Sequence, residues 1–342
     1  MKPTFILALL QHGYKVRTST LYHLLKGKRT SSVLLYGFLY ENLRFFQFTP
    51  DLSESKFNQL ITRLIEQKLL YQTSDDKVQI TAQGEMLVQA ADKDFSQIDN
   101  YRFGKTDEAI WRLLQFTVQV VSHLSYVNKA YIPLEQSPLY QKQVKMYIKS
   151  MPKSLLIKNV KEEWHYIFSC LGRKDANFFA QQFSGYERTG KASFQLMESR
   201  QKAFEQFLIK KAKLHHLLFV MEQLPERSFL KRLVAPLINQ NENKSMAETR
   251  MYLKTESSLE ILAQQRGIKV STIKDHLMEL ALTNDFPFER FISNKTGRIL
   301  AEQSKPYQEW EYRTIKNIFP ELDYFEFRLY QIQKLREERE YS

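Results

Sequence analysis

Residues 258–277, SLEILAQQRGIKVSTIKDHL, carry the pattern of a helix-turn-helix. Leu259, Ile261 and Leu262 predict a first helix with an apolar face. Gly267 follows at the expected turn, where a residue without Cβ takes a left-handed backbone at little cost. Two helices in this arrangement must cross closely, which restricts the fold of this part of the chain more than any other segment does.

The second helix of the pattern is predicted to begin at Ser271 and Thr272, with Ile273 and Leu277 as apolar anchors one turn apart. Such a helix usually faces nucleic acid or a partner protein. The candidate contact residues are the polar side chains around the turn and the start of this helix: Arg266, Lys269, Ser271, Thr272 and Lys274.

The composition favours helices throughout. Glycine and proline occur only 10 times each in 342 residues, which is few for a protein built on a large sheet, and 43% of the residues are hydrophobic. We predict a mainly α protein with a basic, winged-helix-like domain at 1–95, an all-helical middle domain at 96–240 and a helix-turn-helix domain at 246–336.

The winged-helix prediction comes from residues 51–90. Ser53 is placed to cap a helix with an apolar face at 3.6-residue spacing, and two short strands are predicted at 70–73 and 78–81. A closing helix is predicted to begin near Ala82, with Thr81 as its cap. The same order of helix, hairpin and helix also occurs in other small α+β domains, so both alternatives stay open.

The charge is unevenly distributed. The formal net charge is +12, whereas residues 245–342 hold 15 Lys+Arg and 16 Asp+Glu. The excess therefore lies in residues 1–244, and it favours nucleic acid as a partner. Two groups of basic residues are candidate DNA contacts, one at a turn and one along a helix face: Lys26, Lys28 and Arg29, and Lys142, Lys145 and Lys149. Solvated surface charge is the simpler alternative for both groups.

No common catalytic signature is present. The sequence has no GxxxxGKS/T loop, HExxH or CxxC, and the adjacent His215 and His216 would point about 100° apart on a helix. We therefore expect a non-enzymatic protein without a metal or other cofactor. The single cysteine, Cys170, is expected to be a buried core residue at the end of a helix. A lone cysteine also fits a protein of the reducing cytoplasm. No apolar run is long enough to span a bilayer, so we expect no membrane partner.

Several segments together resemble a known family. The 258–277 segment, FPFERFI at 286–292 and FPELDYFEFRLY at 319–330 resemble the helicase-associated helix-turn-helix domain of some RecQ-type helicases. The segment at 22–32, YHLLKGKRTSS, is similar to a characteristic N-terminal sequence of the YpbB-like family of Gram-positive bacteria. Proteins of that family end in this helix-turn-helix domain. The resemblance implies a role in DNA metabolism and association with a RecQ-type helicase, and it implies no catalytic residues.

Three functions are compatible with the sequence: a DNA-binding accessory factor for a RecQ-type helicase, a transcription regulator, and an adaptor that binds only proteins. DNA binding by the accessory factor would not be sequence-specific. Asp275 and Glu279 lie on or near the expected exposed side of the second helix, where acids weaken contact with phosphates. We therefore expect the C-terminal domain to dock on a protein and the basic N-terminal two-thirds to hold DNA.

Overall fold

The fold is known from a computed structural model that describes residues 2–74, 76–91, 95–199, 201–255, 258–283 and 285–340. It is mainly α, with a small antiparallel sheet near the N-terminus. The chain forms two compact units. One unit combines residues 1–93 with 242–342, and we call it the terminal unit. The other consists of residues 94–241, and we call it the middle unit.

The first part of the terminal unit contains helices and a three-stranded sheet. In chain order these are α1 (Pro3–Ala8), β1 (Val16–Arg17), α2 (Thr18–Lys26), α3 (Ser31–Leu39), α4 (Glu54–Glu66), β2 (Leu70–Ser74), β3 (Lys77–Ile80) and α5 (Ala82–Ala90). Strand β3 lies between β1 and β2 and runs antiparallel to both. Val16 lies opposite Val78, and Leu70 lies opposite Ile80.

Local side-chain chemistry sets several of these boundaries. The Ser53 hydroxyl accepts a hydrogen bond from the Lys56 amide, and the Thr81 hydroxyl accepts one from the Gly84 amide at 3.1 Å. Both predicted caps are therefore confirmed. The turn predicted at Gly27 is also confirmed, with a left-handed φ of +90°.

The middle unit is helical. It contains α6 (Asn100–Phe103), α7 (Asp107–Ser125), α8 (Pro138–Lys149), α9 (Lys153–Ala180), α10 (Ala203–Glu222) and α11 (Phe229–Ile238). Helix α9 is interrupted at Gly172, whose φ is +72°. Helices α7, α9, α10 and α11 pack around one apolar core that includes Trp111, Phe179 and Leu217.

The second part of the terminal unit adds six helices among its described residues: α12 (Lys244–Leu253), α13 (Leu259–Arg266), α14 (Val270–Thr283), α15 (Asn294–Ala301), α16 (Tyr312–Ile318) and α17 (Tyr324–Glu340). Helix α14 packs against α12, α13 and α17, and also against α3 from the other end of the chain. In the part of the chain that the structure describes, no helix combines the length and apolar character needed to cross a membrane.

Candidate nucleic-acid interface

The helix-turn-helix has the predicted local geometry. Ser258 caps α13 by accepting a hydrogen bond from the Ile261 amide, and Gly267 ends α13 with a left-handed φ of +63°. In α14, Ile273 and Leu277 are both fully buried. The apolar anchors, the turn and the two helices are therefore confirmed.

Helix α14 is nevertheless largely enclosed. Every residue from 276 to 282 is buried, because α3 packs on α14 in addition to α12, α13 and α17. The sequence predicted that Glu279 lies on or near an exposed side, but its side chain is only 6% exposed. The part of α14 that a ligand can reach is mainly its N-terminal part, where Ser271, Thr272 and Asp275 are exposed or half-buried.

Polar contacts connect the two helices. The Arg29 guanidinium donates two hydrogen bonds to Oε1 of Glu279, at 2.8 and 2.5 Å. The Ser31 hydroxyl donates to Oδ1 of Asp275. The two acids that argued against DNA contact by α14 therefore interact with the N-terminal segment of the same chain.

The five candidate residues of the helix-turn-helix have different surroundings. The Arg266 guanidinium lies 2.6 Å from Glu248 and donates to the Ser245 carbonyl at 3.2 Å, so it ties α13 to α12. The Lys274 ammonium lies 3.4 Å from Asp323. Of the other three, two are exposed and one is half-buried: Lys269, Ser271 and Thr272.

The three basic residues of the turn between α2 and α3 also have different surroundings. Lys26 and Lys28 are exposed, and neither has a carboxylate within 4 Å among the residues that the structure describes. The Arg29 side chain contacts Glu279 instead and lies over the Phe46 ring, 5.7 Å from its centroid. The predicted phosphate site therefore retains two accessible cations.

The middle unit holds most of the basic excess. Residues 94–241 contain 22 Lys+Arg and 13 Asp+Glu, a net charge of +9 out of +12 for the whole chain. A unit with this balance attracts polyanions over its surface. Residues 1–93 hold 12 Lys+Arg and 8 Asp+Glu, so their net charge of +4 is less than half that of the middle unit.

Helix α8 presents lysines to solvent. Its buried side is anchored by Val144, which is fully enclosed, and by the Tyr147 hydroxyl, which donates to the Arg232 carbonyl at 2.9 Å. The opposite side carries exposed lysines that have no carboxylate within 4 Å in the described part of the chain: Lys142, Lys145 and Lys149. The sequence predicted this division of α8 into an apolar and a basic side.

The two adjacent histidines pair with different carboxylates. Nε2 of His215 lies 3.0 Å from Asp107, and Nδ1 of His216 lies 3.1 Å from Asp175. Burial acts to raise the pKa of Asp107, but hydrogen bonding to His215 and the charge of Lys211 hold that pKa below its usual value. Among the described residues, no group of three or more His, Cys, Asp or Glu side chains could hold a metal ion.

Cys170 and Glu163, both in α9, have surroundings that the sequence did not predict. Cys170 is exposed on α9, so its predicted place in a core is wrong. Glu163, one of a pair of adjacent acids in α9, accepts hydrogen bonds from the backbone amides of Phe229 and Leu230 at 2.7 and 2.8 Å. It thereby caps the N-terminus of α11, a role that only the three-dimensional fold reveals.

Comparison with known proteins agrees with this architecture. A model of a helix-turn-helix domain matches residues 245–331. Protein YpbB of Bacillus subtilis (strain 168) is 23% identical over 325 residues, which cover 91% of this chain and 91% of that protein. No solved structure gives a significant match. The resemblance found in the sequence is confirmed: this chain is a distant homologue of Protein YpbB with a helix-turn-helix domain at residues 245–331.

Proposed function

We propose that this protein is a non-enzymatic accessory factor of DNA metabolism that binds nucleic acid through α8 of its middle unit. The observation that carries the proposal is the side of α8 with Lys142, Lys145 and Lys149, which are exposed and have no carboxylate partner within 4 Å among the described residues. Lysines spaced along one helix side can neutralise successive phosphates without contacting bases. Binding of this kind is not sequence-specific.

The test is a binding titration of the intact protein with fluorescent DNA at several salt concentrations. Replacing the three α8 lysines by Gln should weaken binding and reduce the slope of log K against log salt by about 2 to 3. A matched variant with Lys56, Lys254 and Lys305 changed to Gln removes equal charge from exposed positions of the terminal unit. Equal losses in the two variants would contradict the assignment to α8.

We further infer a winged-helix-like fold for the start of the terminal unit. Its support is the sheet order β1-β3-β2, with α4 directly before the hairpin and α2 directly after β1. The exposed side of α4 is polar and carries charges of both signs, at Glu54, Lys56, Arg63 and Glu66. This balance makes α4 a weaker candidate for holding a phosphate backbone than α8.

We also propose that the helix-turn-helix domain associates with a RecQ-type helicase, as the family resemblance implies. Because α14 is enclosed, the docking surface would lie on the outer sides of α12 and α13. Both helices expose large apolar side chains to solvent: Met251, Tyr252 and Ile261. Changing Met251 and Ile261 to Asp in the intact protein should abolish co-elution with a purified RecQ-type helicase after nuclease treatment, whereas Met86→Asp on α5 should not.

A transcription regulator that reads bases through α14 is the weaker alternative. Such a protein reads bases mainly with the N-terminal residues of its recognition helix. In α14 these include the acid Asp275, and residues 276–282, which make up most of the rest of the helix, are buried. Tight binding to one DNA sequence, with no binding to unrelated sequences, would favour the regulator over the accessory factor.

A further inference from the structure

The segment between α7 and α8 exposes an unusual number of apolar side chains. We call residues 126–137 the strap. Large apolar side chains along the strap and α8 are between 52% and 85% exposed: Tyr126, Val127, Ile132, Leu134, Leu139 and Met146. A concentration of exposed apolar surface of this kind normally marks a binding site.

The strap is held firmly against α7. Gln119 donates to the Ile132 carbonyl at 3.0 Å and accepts from the Leu134 amide at 2.8 Å. Glu135 is buried and lies 2.8 Å from the Arg112 guanidinium. Because these bonds fix the backbone, the outward positions of Ile132 and Leu134 belong to the fold itself.

The strap and α8 themselves contribute no exposed acid. In the described contacts, the exposed acid nearest to Tyr126 is Glu187, which lies beside Tyr186. Between residues 109 and 161 the sequence holds eight Lys or Arg and a single acid, Glu135, which is the buried partner of Arg112. The strap and α8 therefore combine apolar side chains with the α8 lysines. A ligand that uses the whole surface must be anionic and must also offer apolar area.

Single-stranded nucleic acid has both properties, because its base faces are accessible beside its phosphates. A duplex stacks its bases inside and presents mainly phosphates to a lysine-bearing surface. The strap also supplies a ring for stacking: Tyr126 is stacked on Tyr186, with ring centroids 4.5 Å apart, and remains mostly exposed. The Tyr186 contact fixes the ring orientation in advance.

We propose that the strap and α8 together form a binding surface for single-stranded nucleic acid. Bases lie against Tyr126, Ile132 and Leu134, and phosphates contact the α8 lysines. This inference rests on the proposed function, which requires only that α8 bind nucleic acid. It adds the substrate class and the residues that distinguish a single strand from a duplex.

The experiment compares a labelled 25-nucleotide oligo(dT) with a labelled 25-base-pair duplex, both titrated with the intact protein. The parent protein should bind the single strand more tightly. Ile132→Ser/Leu134→Ser should weaken that binding about tenfold, as should Tyr126→Ala, with little change for the duplex or in the salt slope. Phe194→Ser is the matched control, because it removes another exposed apolar side chain of the same unit.

The two proposals fail in different ways. Equal or tighter binding of the duplex, or unchanged affinity in the Ile132/Leu134 and Tyr126 variants, overturns the single-strand inference but leaves DNA binding by α8 intact. Failure to bind either DNA overturns both. If the protein ignores oligo(dT) but binds an Asp- and Leu-rich peptide that loses affinity with Ile132→Ser/Leu134→Ser, the surface docks protein and the single-strand proposal is wrong.

Discussion

Glu279 is a buried acid in the middle of an apolar helix, and Arg29 supplies its guanidinium from 250 positions earlier in the chain. Burying a carboxylate is unfavourable unless a cation and hydrogen bonds compensate for the lost water. Arg29 therefore acts in stabilising the terminal unit, while its neighbours Lys26 and Lys28 remain accessible to anions.

We expect Arg29→Ala to lower the free energy of unfolding by about 2 to 3 kcal/mol, because it leaves Glu279 buried without this partner. Lys28→Ala is the control, since that side chain is exposed, and it should change stability by less than about 0.5 kcal/mol. Adding Glu279→Gln to Arg29→Ala should recover part of the loss. Urea unfolding measures all three, and similar values for Arg29→Ala and Lys28→Ala would refute this role.

The burial of His12 should make the stability of the protein depend on pH. Burial lowers its pKa to about 4, and its ring is stacked on Tyr40 with centroids 4.6 Å apart. Because the folded-state pKa lies below the unfolded value of 6.5, the unfolded chain takes up the proton first as the pH falls. The contribution of neutral His12 to the free energy of unfolding is therefore fully present above pH 6.5. It is lost progressively between pH 6.5 and 4, and the total loss is about 3 kcal/mol.

Urea unfolding at pH 7, 6, 5 and 4.5 tests the His12 prediction. His12→Gln should flatten the profile in this range, whereas His165→Gln, at an exposed position, should leave it unchanged. Burial also lowers the pKa of His276, so a residual slope of the same sign should remain in His12→Gln. An unaltered slope in His12→Gln would contradict the assignment.

At the scale of the helix, α11 depends on a cap supplied by another helix. Glu163→Ala removes the acceptor of two backbone hydrogen bonds and should destabilise the middle unit by about 2 kcal/mol. The adjacent Glu162 is exposed and lies 3.9 Å from Lys158, so Glu162→Ala should have almost no effect. Thermal unfolding of the two variants makes the comparison, and equal melting temperatures would exclude the cap.

Elements defined by neighbouring residues were predictable from the sequence. Ser53, Thr81 and Gly267 act within a few residues of their own positions, so their caps and turns followed from local patterns. Strand β1 was not predicted, because its two residues become a strand only by pairing with β3. The sequence carries no sign of that pairing.

The same distinction between local patterns and long-range packing applies to the candidate site. The lysine side of α8 was predicted because helical spacing alone places Lys142, Lys145 and Lys149 together. The exposure of Ile132 and Leu134 was not, because an apolar residue in an irregular segment normally indicates a core. Likewise, the enclosure of α14 depends on α3, which a single sequence does not connect to it.

At the scale of the whole molecule, the terminal unit needs both ends of the chain. We expect residues 242–342 expressed alone to aggregate, because the side of α14 that packs on α3 would be exposed. Co-expression with residues 1–93 should restore a soluble complex, and the Arg29→Ala variant of that fragment should restore less. Size-exclusion chromatography tests this, and a stable monomer of 242–342 alone would contradict it.

The contact between α3 and α14 also sets an order of events during synthesis. Ribosomes add about 5 to 20 residues per second, so the partner helix of α3 emerges roughly 10 to 50 seconds after it. The middle unit lies wholly between the two and can fold during that interval. Helix α2 can cover one side of α3 at once, but the side that packs on α14 stays exposed throughout this interval. The newly made N-terminal segment is therefore expected to need a chaperone.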